Sequence, residues 1–147
     1  ESFQYVKLGK SLEKITNMLN VGGNLLICDF FKRDGVGKSP IGGGHGWQLF
    51  QEKIRVHPLS LISDLDITEE TAPTIDLLAK FNTDVVTPIA EMSSEYLIDH
   101  YPKLSKLFRW KFKKRLEKIH NIYLSGSVNG SSFKKFKEYH LLVYEKG

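Results

Sequence analysis

Residues 11–31 read SLEKITNMLNVGGNLLICDFF, and this stretch decides the fold. Leu12, Ile15 and Leu19 recur at helical spacing with Met18 beside them, so residues 10–19 are expected to form a helix. Asn20-Val21-Gly22-Gly23 stops it, because glycine readily takes the left-handed conformation that ends a helix. Residues 24–31 then form a nearly continuous apolar run interrupted by one acid, Asp29. Such a run is expected of a strand buried on both faces, as in a parallel sheet covered by helices.

Outward from this unit, residues 32–44 are a loop rich in glycine, lysine and aspartate, followed by a short helix over about 46–54. Residues 58–67, PLSLISDLDI, read as a second strand with Leu59, Leu61, Leu65 and Ile67 on one face. From 74 to 123 the pattern is helical, cut at Pro88 and Pro102 because proline disrupts a helix interior. The last of these pieces, 103–123, carries Leu104, Leu107, Phe108, Trp110, Phe112 and Leu116, which are expected to pack inward. A polar turn, SGSVNGSS, leads to a final strand over 138–145, EYHLLVYE, apolar on both faces. The alternation of helices and strands predicts an α/β fold, although three strands are few for a doubly wound sheet.

The 147 residues suit one domain, and an apolar share of 41% supports a core while 26% charged residues excludes a disordered tail. Cys28 stands alone, so no disulfide framework forms within the chain, and a cytoplasmic setting is the expectation. No apolar run approaches the roughly 18 residues of a membrane span. The start, ESFQYVKLGK, lacks the basic-then-apolar pattern of a signal peptide.

Several short motifs carry less than they promise. Gly42, Gly44 and Gly46 precede a helix, with Asp64 and Asp66 about twenty residues on, but the preceding strand ends well before the first glycine. A flexible loop over a site is the preferred reading. Gly35-Val36-Gly37-Lys38-Ser39 lacks the upstream glycine of a phosphate loop, since Lys32 stands there. The histidines make no ligand pair, so no metal site is expected. His45, beside Trp47 in the glycine-rich loop, reads equally as a solvated residue or a site residue. Residues 103–118 hold eight lysines and arginines against Glu117, either a solvated helix face or a surface for nucleic acid or anionic membrane.

Taken in order, these segments resemble a known family. The helix ending in Leu19, the turn at Gly22-Gly23 and the buried strand from Leu25 to Asp29 are similar to the class I S-adenosylmethionine-dependent methyltransferases. GGGHGWQLFQEKI, LDITEETAPTIDLL and SGSVNGSSFKKFKEYHLLVYEK resemble the small-molecule branch of that family, so the resemblance covers the whole chain. It implies the C-terminal part of a Rossmann-like methyltransferase sheet with a helical lid insertion. Residues 1–73 and 124–147 would form the partial core, and 74–123 the lid. The family's glycine-rich cofactor turn and ribose-binding acid would lie upstream of Glu1, making this chain part of a longer catalytic domain.

The resemblance implies site residues by position. Glu1, Ser2 and Phe3 would lie beside S-adenosylmethionine. Gln4 and Tyr5 would face the methyl group or the acceptor, joined by Asp29, Phe31, His45, Trp47, Asp66 and Thr68. Phe30 reads equally as core, and Asp66 with Thr68 equally as a helix-capping turn. His45 is the first candidate base and Tyr5 the second. The implied acceptor is a small apolar molecule. Specific nucleic-acid binding is not expected, weak contact with a membrane surface is allowed for, and an exposed sheet edge would favour self-association. The competing reading is a binding module whose basic helix docks on nucleic acid or an anionic membrane.

Overall fold

The computed structural model describes residues 3–119 and 127–147. A single turn of 3-10 helix, Phe3–Tyr5, leads into α1, Leu8–Met18. Strand β1, Asn24–Lys32, and helix α2, Trp47–Ile54, follow. Next come strand β2, Leu59–Asp66, and α3, Thr68–Phe81. A π-helical turn, Asn82–Val86, joins α3 to α4, Thr87–His100. Helix α5, Pro102–Ile119, continues the arm, and its expected end at Tyr123 lies outside the described residues. The boundary expected between 123 and 124 lies there too. Helix α6, Gly130–Phe136, and strand β3, Lys137–Lys146, complete the order.

The α/β class is as expected, but the pairing is not that of a parallel sheet. The strand order is β1-β3-β2, and both pairings are antiparallel. Because β3 reverses between them, β1 and β2 run in the same direction and end at the same edge of the sheet.

The glycine turn between α1 and β1 has a physical reason. Gly22 sits at φ +74°, and a Cβ on Gly23 would meet the Asn20 carbonyl at 2.8 Å. The turn is closed from the far end of the chain, where Gly22 N–H donates to the Lys146 carbonyl at 2.7 Å. The Lys146 ammonium also donates to the Thr16 and Leu19 carbonyls, both at 2.8 Å, neutralising the negative end of α1.

One face of the sheet carries the core. Leu8 and Leu12 of α1, Ile27 and Phe31 of β1, Phe50 and Ile54 of α2, and Leu142 and Tyr144 of β3 form one buried cluster. Fully burying a side chain of this size contributes about 1.5–3 kcal/mol. The other face is covered only in part. Phe30 meets Phe133 of α6 and Tyr139, whereas Leu26 is 64% exposed and Cys28 is exposed. The expectation that β1 is buried on both faces is therefore corrected: it alternates, because no helix among the described residues covers its outer half on that side. Strand β3, at the centre, is the one closed in on both faces.

Strand β2 needs a second correction. A bulge between Leu61 and Ser63 shifts the register, so Leu61 pairs with Tyr144 and Leu65 with Leu141. Those partners lie on opposite faces of β3, so Leu61 and Leu65 do not share a face, as strict alternation had predicted.

The helical arm departs furthest from expectation. Helix α3 begins at Thr68, six residues before the expected start, and accommodates Pro73 inside it. Pro88 does not cut the helix. The π turn widens the backbone just before it, so that Thr87 N–H reaches the Asn82 carbonyl and Pro88 falls in the first turn of α4, where its missing N–H is harmless. The aromatic and aliphatic residues of α4 and α5 do not pack inward: Ile89, Met92, Tyr96, Leu104, Phe108 and Trp110 are all exposed. No helix among the described residues is long and apolar enough to cross a membrane.

Candidate functional site

The edge where β1 and β2 end is also where β3 begins, and four segments converge there. The first is the 3-10 turn. Gln4 N–H donates to Asp29 Oδ2 at 3.0 Å, while Phe30 N–H donates to the other oxygen at 2.8 Å. Asp29 is thereby held with 1% of its surface exposed, its carboxylate compensated by backbone donors rather than by a cation.

The second segment is the glycine-rich loop, residues 33–46. It is fastened rather than free. Gly44 N–H donates to Gln4 Oε1 at 3.1 Å, and Lys32 N–H to the His45 carbonyl at 2.8 Å. Gly43 and Gly44 have φ of +72° and +76°, and a Cβ on Gly44 would stand 2.9 Å from the Phe30 carbonyl. Two successive left-handed residues pressed on a strand can only be glycine. From the third segment, the start of β3, the Lys137 ammonium donates to the Gly43 carbonyl at 2.6 Å and to Gly42 at 3.3 Å. Its charge lies 5.0 Å from the centre of the Phe30 ring. Lys137 is wholly buried, and that burial, reinforced by the neighbouring Lys32, pulls its pKa down to about 8.

His45 sits where these parts meet. Its Nε2 lies 3.1 Å from the Phe3 carbonyl, and its ring meets the Phe3 ring edge-on at 5.7 Å. A carbonyl only accepts, so the hydrogen belongs on Nε2 and the neutral ring keeps a lone pair on Nδ1.

The fourth segment is the β2–α3 junction. Thr68 N–H donates to Asp66 Oδ1 at 2.9 Å, and the Thr68 hydroxyl makes a short bond to the same oxygen. The hydroxyl in turn accepts from Tyr139 N–H at 2.8 Å. Asp66 and Thr68 thus form a turn that opens α3 and ties it to β3, the structural one of their two readings. Burial pushes the Asp66 carboxyl up, but the two Thr68 donors, with His140 and Arg33, outweigh it and hold it below its usual value.

Beside this junction lies a pair that the sequence reading passed over. His140 Nδ1 meets Asp64 Oδ1 at 2.6 Å, and the Trp47 indole stacks on the imidazole with 4.2 Å between centres and 10° between planes. His140 Nε2 and Glu138 Oε1 are buried with no hydrogen-bond partner among the described residues. Burial raises the Glu138 pKa, opposed by His140 and Arg33 and reinforced by Asp66 and Asp34. A histidine inside a strand apolar on both faces was the available signal, because such a residue needs a partner. The partner is visible only in the β2–β3 register.

Of the residues expected at a site, Phe3, Gln4, Asp29 and His45 are brought together in one hydrogen-bonded group. Trp47, Asp66 and Thr68 gather around β3. Phe31 is 1% exposed and belongs to the core under Trp47 and Phe50. Tyr5 is 80% exposed. Glu1 and Ser2 lie outside the described residues. Among the described residues no group of three or more His, Cys, Asp or Glu side chains could hold a metal ion. No protein-family model matches the chain, and no curated protein matches it.

Proposed function

We propose that this chain supplies the acceptor side and the lid of an S-adenosylmethionine-dependent methyltransferase acting on a small apolar molecule. The observation that carries the reading is the gathering of Phe3, Gln4, Asp29 and His45 outside the common end of β1 and β2. In open α/β sheets, ligands bind in the crevice outside the carboxyl ends of the strands. The paired-glycine turn and the buried acid Asp29, three residues before the end of β1, add to it. The three strands are then the last part of a Rossmann-like sheet, and β1 is the strand that meets the rest. A cavity of about 420 Å³ lined by Phe3, Val6, Ile15 and residues 25–28 runs beside β1.

The described residues fit one edge of a cofactor site, not a whole one. Phe3 alone of the three assigned to S-adenosylmethionine is described, and its carbonyl is already engaged by His45. The cofactor would supply a transferable methyl group. The chain's own part is to orient the acceptor and, where the acceptor atom is protonated, to take that proton on His45 Nδ1. Exposed Tyr5 is the second candidate for that role.

Calorimetry of the whole gene product against S-adenosylmethionine tests the reading. Saturable binding is expected, and no heat at high cofactor concentration overturns it. His45→Ala is expected to slow methyl transfer about 10²-fold or more, as removal of a general base does, and to weaken cofactor binding far less than that.

A further inference from the structure

The arm formed by α3, the π turn and α4 is acidic, whereas α5 is basic. Residues 68–100 hold seven acids and one lysine, and residues 102–119 hold eight lysines and arginines and one glutamate. On α4, Ile89, Met92 and Tyr96 form an exposed apolar stripe, Met92 being 70% exposed. Glu91, Glu95 and Asp99 recur every fourth residue along its flank. None of the three has an ion-pair partner among the described residues. On α5, Leu104, Phe108, Phe112 and Leu116 recur every fourth residue, and Leu104 is 58% exposed. Lys106, Arg109 and Lys113 flank that stripe, and only Lys113 touches an acid, Glu117 at 4.0 Å.

Each helix therefore presents an uncovered apolar stripe with a charged border, and the two borders have opposite sign. Helices α4 and α5 meet at Tyr101 and Pro102 yet leave both stripes exposed apart from half-buried Phe112, so neither covers the other among the described residues. We infer that the occupant is a second copy of this chain, with α4 of one copy lying on α5 of the other and the reverse contact made about a two-fold axis. Such a self-complementary contact closes as a dimer and uses each stripe once. An anionic membrane would suit α5 but repel the acidic border of α4, and a nucleic acid would leave both apolar stripes wet. The second copy accounts for all four features. This surface is separate from the strand edges and does not depend on the methyltransferase reading.

Sedimentation velocity across a concentration series tests the inference on the whole gene product. Concentration-dependent dimerisation is expected, weakened by salt because the borders are exposed. The triple variants E91K/E95K/D99K and K106E/R109E/K113E are each expected to weaken it at least about tenfold, because about six exposed ion pairs are reversed, three in each of the two symmetric contacts. Mixing the two variants is expected to restore a heterodimer. Where a triple variant loses its circular-dichroism signature, Glu95→Lys mixed with Arg109→Glu serves instead. A monomer at every concentration overturns the inference, as does dimerisation unchanged in both reversals, which would point to the sheet edge. Binding of the unaltered protein to phosphatidylserine vesicles without self-association overturns it in favour of the membrane.

Discussion

The α1/α2 face of the sheet and the helical arm use similar side chains to opposite ends. On the sheet, Leu12, Phe31, Phe50 and Leu142 vanish into one cluster. On the arm, Leu77, Ile89, Leu107 and Trp110 stand in solvent. Composition does not separate the regions; closure does. The sheet face is closed by two helices anchored at both ends of β3, whereas α4 contributes no buried residue. Apolar residues at helical spacing therefore say that a face will be covered, and leave open by what.

The sharpest way to break this contrast is to remove one ring from the closed face. Phe50→Ala is expected to cost about 3–5 kcal/mol, because the cavity under Phe31 and Trp47 cannot fully collapse. Denaturant unfolding measures it, and a loss below about 1 kcal/mol would deny that this face is the stabilising core.

Lys137 sharpens the contrast through pH. Its folded pKa is lowered to about 8 from 10.5, so the unfolded chain binds more protons than the native one in between. Stability is therefore expected to rise as pH climbs from about 8 to 10.5, and Lys137→Met is expected to flatten that rise. An unchanged slope in the variant would remove the buried ammonium from the account.

A smaller effect tests the seam between the two regions. Asn129 Oδ1 accepts from Ser132 N–H at 2.8 Å, the Asn129 N–H donates in return to the Ser132 hydroxyl at 3.0 Å, and Gly130 N–H donates to Asp76 of α3 at 2.7 Å. Asn129→Ala is expected to cost about 1 kcal/mol by thermal unfolding. The smallest effect belongs to the arm: Leu107→Ala in dilute protein is expected to change stability by less than about 0.5 kcal/mol. A loss like that of Phe50→Ala would erase the distinction.

Local signals were legible and long-range ones were not. The helix, glycine turn and strand of residues 11–31 could be read because each depends on neighbours in sequence, and α2 likewise. The bulge in β2 could not, since an extra residue looks like ordinary alternation until its partner strand is known. Helix α6 was hidden in SGSVNGSS, a run that reads as a turn although Asn129 and Ser132 cap a helix. Gln4 and Asp29 were singled out by resemblance and His45 already by its glycine-rich loop, but their hydrogen bonds span 25, 40 and 42 residues of chain. The His140–Asp64 pair escaped for the same reason, at a separation of 76.

The position of β3 carries a consequence for synthesis. Among the described residues β1 and β2 are joined through it, and its two terminal lysines fasten the glycine loop at one end and α1 at the other. Among the described residues neither strand has its β3 ladder until residues 137–146 leave the ribosome, so the edges that face β3 stay unsatisfied until then. Folding of this region is necessarily late and dominated by distant pairings, which is the slow and aggregation-exposed regime. A ribosome stalled before residue 137 would present a chaperone with β1 and β2 both lacking the strand that lies between them.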